Sequence, residues 1–162
     1  MNPLHKNILK KLAVISISST IFLTGTTAYI APSVEAASSS RDRVISIGNQ
    51  YLGTPYKFGA QFGVTSRFDC SSFTKWVYSR VGKTLKRASK DQARQGYFVP
   101  RSQLVKGDLV FFTTSSRSGI SHVGIYAGNS RVLHTYGAGG VKYSSMKSGW
   151  WNSHYVTARR VL

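Results

Sequence analysis

The chain has one cysteine in 162 residues, and only five acidic side chains against 22 basic ones. A single thiol makes no internal disulfide, so the fold has to stand on its hydrophobic core, and a chain of this length in one domain is long enough to bury one. Metal chemistry is poorly provided for, because the four histidines and few carboxylates show no His-Glu-x-x-His and no Cys-x-x-Cys spacing. No cofactor is expected. Internal repeats are absent, and the basic residues are scattered without a recognised nucleic-acid motif, so nucleic acid is not the expected partner.

One long apolar run exists, and it stands at the start. Lys6, Lys10 and Lys11 precede an apolar stretch from Leu12 to Tyr29, and Val34-Glu35-Ala36 precedes Ala37 as a small-residue cleavage site. This pattern predicts a secretory signal peptide over residues 1–36, cut after Ala36, in preference to an uncleaved span, so no stable membrane anchor is expected afterwards. Cleavage removes three basic residues and one acidic residue, leaving 19 and 4 and a formal charge of +15. A secreted protein with such a field, placed outside the cell or in its wall, favours anionic wall polymers or anionic headgroups.

Residues 37–43 form a short Ser-rich lead-in, with Ser39 and Asp42 at capping-box spacing. Val44, Ile47, Gly48, Tyr51 and Leu52 then share one helical face, which predicts a helix from about Arg41 to Tyr51 that stops at Gly53-Thr54-Pro55. Residues 56–68 lack any helical period and read as a loop able to wall a cleft. Phe73, Trp76, Val77 and Val81 recur at helical spacing up to Gly82, so Cys70 is expected at or beside a helix N-terminus. Ser89-Lys90-Asp91-Gln92 has capping-box spacing for a short helix, Lys106-Gly107-Asp108 is a turn, and Leu109–Phe112 is a buried strand. An exposed polar loop follows over residues 113–119. The stretch from Ser121 to His134 predicts a hairpin with the turn Ala127-Gly128-Asn129, and symmetry about Gly128 sets His122 directly opposite His134. A last strand from Tyr155 to Leu162 closes the sheet.

These residues support thiol chemistry. Backbone N–H groups and the dipole at a helix start favour the thiolate of Cys70, whereas the commoner fate of a lone cysteine is burial as a structural residue. The polar flank Asp69, Ser71 and Ser72 favours the reactive reading. A thiol nucleophile needs a nearby base that later protonates the leaving amine; His122 fits that role, with His134 placed to orient it. Either histidine alone would read as an ordinary strand residue; their combination with a helix-start cysteine carries the inference. Asp69 fits two roles, binding a substrate amine or capping the helix, and Tyr56 either turns its hydroxyl to the thiol or packs in its loop. The N–H groups of Cys70 and Ser71 are candidate oxyanion donors.

Five motifs in order, Gly53-Thr54-Pro55-Tyr56, Phe68-Asp69-Cys70-Ser71, Gly107–Phe112, Ser121–Tyr126 and Leu133-His134, resemble those of the NlpC/P60 cysteine peptidases. The resemblance covers about Val44 to Leu162 and makes residues 44–162 the expected peptidase domain. It implies an α+β, papain-like fold with N-terminal helices, the Cys helix among them, packed on an antiparallel β-sheet. Cys70, His122 and His134 would be nucleophile, base and orienting residue. Tyr56, Asp69, Ser71, Arg87 and Ser89 would contact substrate, with Asp69 near its amino end. The implied substrate is the peptidoglycan stem peptide, cut most often between D-glutamate and the diamino acid that follows. The chain departs from the usual pattern at Phe58 and Ala60, where the family commonly has Trp and Gly, at Ser72 in place of Gly, and at Lys86 and Ala88 beside Arg87. A wall-binding module that keeps the fold without the activity, and an amidase or acyltransferase using the same residues, are the competing expectations.

Overall fold

Four consecutive apolar residues, Leu109–Phe112, need burial on both sides, and they form a strand in which every residue is buried. The computed structural model describes residues 34–114 and 119–162; the expected signal segment up to residue 33, and residues 115–118 of the polar loop, lie outside the described residues. In chain order the elements are α1 (Val34–Asn49), α2 (Cys70–Ser79), α3 (Ser89–Gln92), β1 (Tyr97–Phe98), β2 (Leu109–Phe112), β3 (His122–Gly128), β4 (Arg131–Thr135), β5 (Val141–Ser145), α4 (Trp150–Ser153) and β6 (Tyr155–Arg160). A 3-10 turn spans Arg101–Gln103. The strands form one antiparallel sheet in the order β1-β6-β2-β3-β4-β5.

Strand alternation divides the core in two. Leu109, Phe111, Val123, Ile125 and Leu133 pack with Val44 of α1 and with Phe73 and Val77 of α2. Val110, Phe112, Val132, Met146 and Ala158 form the second cluster, covered by Trp151 and Tyr155. Helix α1 lies close on β4, because a Cβ at Gly48 would stand 2.6 Å from Leu133 Cδ2. The fold is thus α+β with helices on an antiparallel sheet, as expected.

Several local expectations are corrected. Helix α1 spans Val34–Asn49 and contains Ser39 and Asp42, so these two do not cap it, and the lead-in is helical. Asp42 instead pairs with Lys106 at 3.2 Å. In α3 the cap is Ala88, without a side-chain bond, and Ser89 is the first helical residue. The last strand, β6, lies inside the sheet between β1 and β2. Strands β1 and β5 and helix α4 have no counterpart in the sequence reading.

The hairpin carries the most consequential correction. Asn129 and Ser130 both have positive φ, 51° and 52°, which marks a two-residue turn closing Gly128 on Arg131. That turn alone would set the strands in odd register and send His134 to the face opposite His122. Ala127, an extra residue bulged between the Tyr126–Val132 and Gly128–Arg131 pairs, moves the register by one and restores a shared face. His122 and His134 are therefore diagonal neighbours on one face, not directly opposite. Gly124 makes the room: a Cβ there would lie 2.4 Å from Val132 Cγ2 and 3.0 Å from His134 Cβ.

Asp108 ties the ends of β2 and β6 together. It is fully buried, accepts Arg160 Nε at 2.7 Å and Arg160 Nη2 at 2.8 Å, and accepts the Val105 N–H at 2.8 Å. Breaking a buried pair costs about 3–5 kcal/mol, and Arg160 can partly rehydrate, so Asp108→Ala is expected to destabilise the fold by about 3 kcal/mol. Urea unfolding measures this; a loss below about 1 kcal/mol would refute the tie.

Candidate active site

The start of α2 is fixed by a reciprocal cap. Asp69 Oδ1 accepts the Ser72 N–H at 2.7 Å, and Ser72 Oγ accepts the Asp69 N–H at 3.0 Å. Ser72, standing where the family commonly has Gly, closes this box. The first ladder bond of α2 runs from Phe73 N to Asp69 O at 3.0 Å, so the N–H groups of Cys70 and Ser71 stay outside the ladder. Asp69 therefore performs the capping role. It also binds Arg87, whose Nη1 donates to Asp69 Oδ1 at 3.1 Å and to Ser71 Oγ at 2.9 Å, and whose Nη2 donates to Asp69 Oδ2 and, at 2.6 Å, to the Ala60 carbonyl. Arg87 thus clamps the Ala60 loop to the start of α2.

Cys70 and His122 line one cavity of ≈ 570 Å³, together with Tyr56, Asp69, Ser71, Arg87, Ser89 and Tyr136. Every residue expected to contact substrate stands in its wall. Phe58 overhangs it, 87% exposed. Cys70 belongs to the helix-side core, where the N–H groups of Val123 and Ser71 act on its sulfur, while His122 packs on Phe112 and Trp151 of the other cluster. The thiol thus meets the sheet where β3 begins.

His134 is not in that wall; it stands behind His122. His122 Nε2 and His134 Nδ1 are 2.9 Å apart, and His134 Nε2 and Ser144 Oγ are 2.8 Å apart. Trp151 packs on both rings, with centroids 4.8 Å and 4.4 Å away. If His122 is to act as a base through Nδ1, its proton must sit on Nε2 and be donated to His134 Nδ1. His134 then carries its own proton on Nε2 and donates it to Ser144 Oγ. The three residues form a chain with one sense.

Burial opposes the pull toward thiolate expected at the helix start. It pushes the Cys70 thiol up to about 11, although the Val123 and Ser71 N–H groups pull the other way. Burial, helped by His134, holds His122 well below the ordinary imidazole range; burial, helped by Lys142, lowers His134 to about 3. Both shifts favour the uncharged forms of the thiol and the imidazole. Burial also raises Tyr56, with Cys70 and Asp69 contributing, so its phenol stays a donor.

Sequence reasoning missed Ser144 and Trp151, because β5 and α4 gave no periodic signal, and Tyr136, which stands just past the end of β4. In that hydrogen-bond chain Ser144 positions His134, and Ser144→Ala would leave a ring nitrogen of His134 without its hydrogen-bond partner, a cost of about 1–3 kcal/mol. We expect kcat/KM about tenfold lower with a displaced acid limb of the pH profile, and recovery in Ser144→Thr; an unchanged profile in the Ala variant would remove Ser144 from the relay.

The α+β fold thus places a helix-start thiol and one of two hydrogen-bonded buried histidines in the wall of one cavity. A family model for the NlpC/P60 family matches residues 53–160, and the chain belongs to that family. The bifunctional muramidase/DL-endopeptidase CwlT of Bacillus subtilis is 37% identical over 113 residues, covering 69% of this chain and 34% of its own length. A crystal structure of an NlpC/P60 family protein from Bacillus cereus superposes with a TM-score of 0.68 at 32% identity, covering 74% of this chain and 39% of that one. The NlpC/P60 domain of the peptidoglycan hydrolase SagA gives 0.64 at 29% identity, covering 75% and 98%. This chain spans about a third of the length of CwlT.

Proposed function

We propose that this protein is an exported cysteine endopeptidase that hydrolyses peptidoglycan stem peptides, cutting between D-glutamate and the following diamino acid. The observation that carries this reading is the cavity shared by Cys70 and His122, with His122 held at 2.9 Å by His134. The name DL-endopeptidase on a relative 37% identical supports the choice of bond, and the basic leader with its small-residue cleavage site supports export.

In this mechanism the Cys70 sulfur attacks the carbonyl carbon as its proton passes to His122 Nδ1, so that little charge separation has to be held before substrate arrives. The oxyanion accepts the N–H groups left outside the α2 ladder. The imidazolium, stabilised through His134 and Ser144, gives its proton to the departing amine as the C–N bond breaks. Water then attacks the thioester, losing a proton to His122, and the carboxylic acid leaves with the thiol restored. Tyr56, Asp69, Ser71, Arg87 and Ser89 hold the peptide. Since Asp69 is already engaged by Arg87, its part in binding a substrate amine is shared with the Ser71 hydroxyl. The net positive charge draws the enzyme to anionic wall polymers.

Digestion of purified muropeptides of both main diamino-acid types, with mass identification of products, tests the proposal. Fragments ending in D-glutamate are expected; intact muropeptides would support an inert wall-binding module, and release of some other acyl group would support an amidase or acyltransferase.

A further inference from the structure

A second cavity, of ≈ 400 Å³, lies between α1 and α2 and is lined by Arg43, Ile47, Gln50, Tyr51, Trp76 and Arg80. Arg80 caps the C-terminal end of α2, whose first residue is Cys70, so at 1.5 Å per residue it stands about 15 Å along the helix from the nucleophile. The two cavities share no lining residue.

The lining of this second cavity is chemically one-sided. It brings two guanidinium groups, an amide, a phenol and an indole together without a carboxylate. Asp42, Asp69 and Asp108 are engaged by Lys106, Arg87 and Arg160, and among the described residues no ion pair joins an acid to Arg43 or Arg80. The Arg80 guanidinium rests 5.6 Å from the Trp76 ring centre, and the Trp76 indole N–H is buried without a hydrogen-bond partner. Two cations in one cavity repel each other, and a bound anion relieves that repulsion. Ile47, Tyr51 and Trp76 supply apolar wall that a bare inorganic anion would leave unused, and the volume admits a phosphate with carbon units on either side.

We propose that this cavity binds a phosphodiester flanked by polyol or sugar units, the repeating group of an anionic polymer, and so anchors the enzyme while the catalytic cavity stays free. The wall-facing reading above names the natural source; binding itself is measurable without it.

The test is calorimetric titration of the full chain with a glycerol-phosphate oligomer, with phosphatidylglycerol vesicles and inorganic phosphate as parallel probes. The double variant Arg43→Gln/Arg80→Gln is expected to bind the oligomer at least about tenfold more weakly while hydrolysing soluble muropeptides at the unchanged rate. A control removing the same charge elsewhere on the surface, Lys83→Gln/Lys90→Gln, is expected to keep the affinity. Vesicle binding with the same arginine dependence supports the same phosphodiester chemistry and assigns the source to a lipid headgroup. Equal weakening in the two double variants would reduce the effect to diffuse charge and overturn the site. Inorganic phosphate binding as tightly as the oligomer would overturn the phosphodiester, and no binding of any probe would overturn the whole proposal. Absence of hydrolysis in the parent protein with oligomer binding intact would instead count against the catalytic reading alone.

Discussion

Cys70→Ser is expected to lower hydrolysis of muropeptides by about 10⁴-fold or more, while the protein unfolds within about 1 kcal/mol of the parent. The alcohol is smaller and far less nucleophilic than the thiol, and its proton is harder for an imidazole to take. A buried His122, held well below its ordinary range, is a poor match for that proton. The cap of α2 rests on Asp69 and Ser72 and not on the Cys70 side chain, so the helix should form unchanged. Retained turnover in the purified variant would reject Cys70 as nucleophile; an unfolded variant would show that the sulfur is a core residue first.

His122→Gln should produce an opposite pair of effects on activity and acid stability. Loss of the base lowers kcat/KM by about 10²–10⁴-fold. In the folded parent, burial holds the His122 and His134 values below the ordinary range, His134 at about 3, while the unfolded chain binds protons near pH 6.5. The stability they contribute is therefore present above pH 6.5 and lost as the pH falls towards the folded values. Each histidine held neutral costs about 1.4 kcal/mol per pH unit below 6.5. Between pH 6 and 5, above the ordinary carboxylate range, denaturant unfolding of His122→Gln should show a slope shallower by about that amount. Equal slopes would mean that His122 is protonated in the folded protein.

Much of this site was legible before any coordinates. The thiol at a helix start, the buried strand Leu109–Phe112 and the shared face of the two histidines all follow from local spacing. The shared face was expected for the wrong geometric reason. A symmetric three-residue turn and a two-residue turn with a bulged Ala127 both keep the histidines on one side, and spacing alone does not separate them. Ser144 was hidden because β5 pairs through mostly polar residues, Lys142, Ser144 and Ser145 among them, and shows no apolar alternation. Trp151 was hidden in a four-residue helix too short for a period. The depth of burial was equally out of reach: the helix-start rule favours a thiolate, and only the packed structure shows the desolvation that opposes it. Arg87, expected at the substrate, proved to be an internal clamp as well as part of the cavity wall.

Acid quenching of a reaction with excess muropeptide, followed by mass analysis of the protein, reads the covalent step directly. Because the chain has one cysteine, a thioester can form at a single place. The mechanism requires a muropeptide-derived acyl group on the peptide containing Cys70, labile to hydroxylamine and absent from Cys70→Ser. Full turnover with no adduct at any quench time, or an adduct that survives in Cys70→Ser, would contradict it.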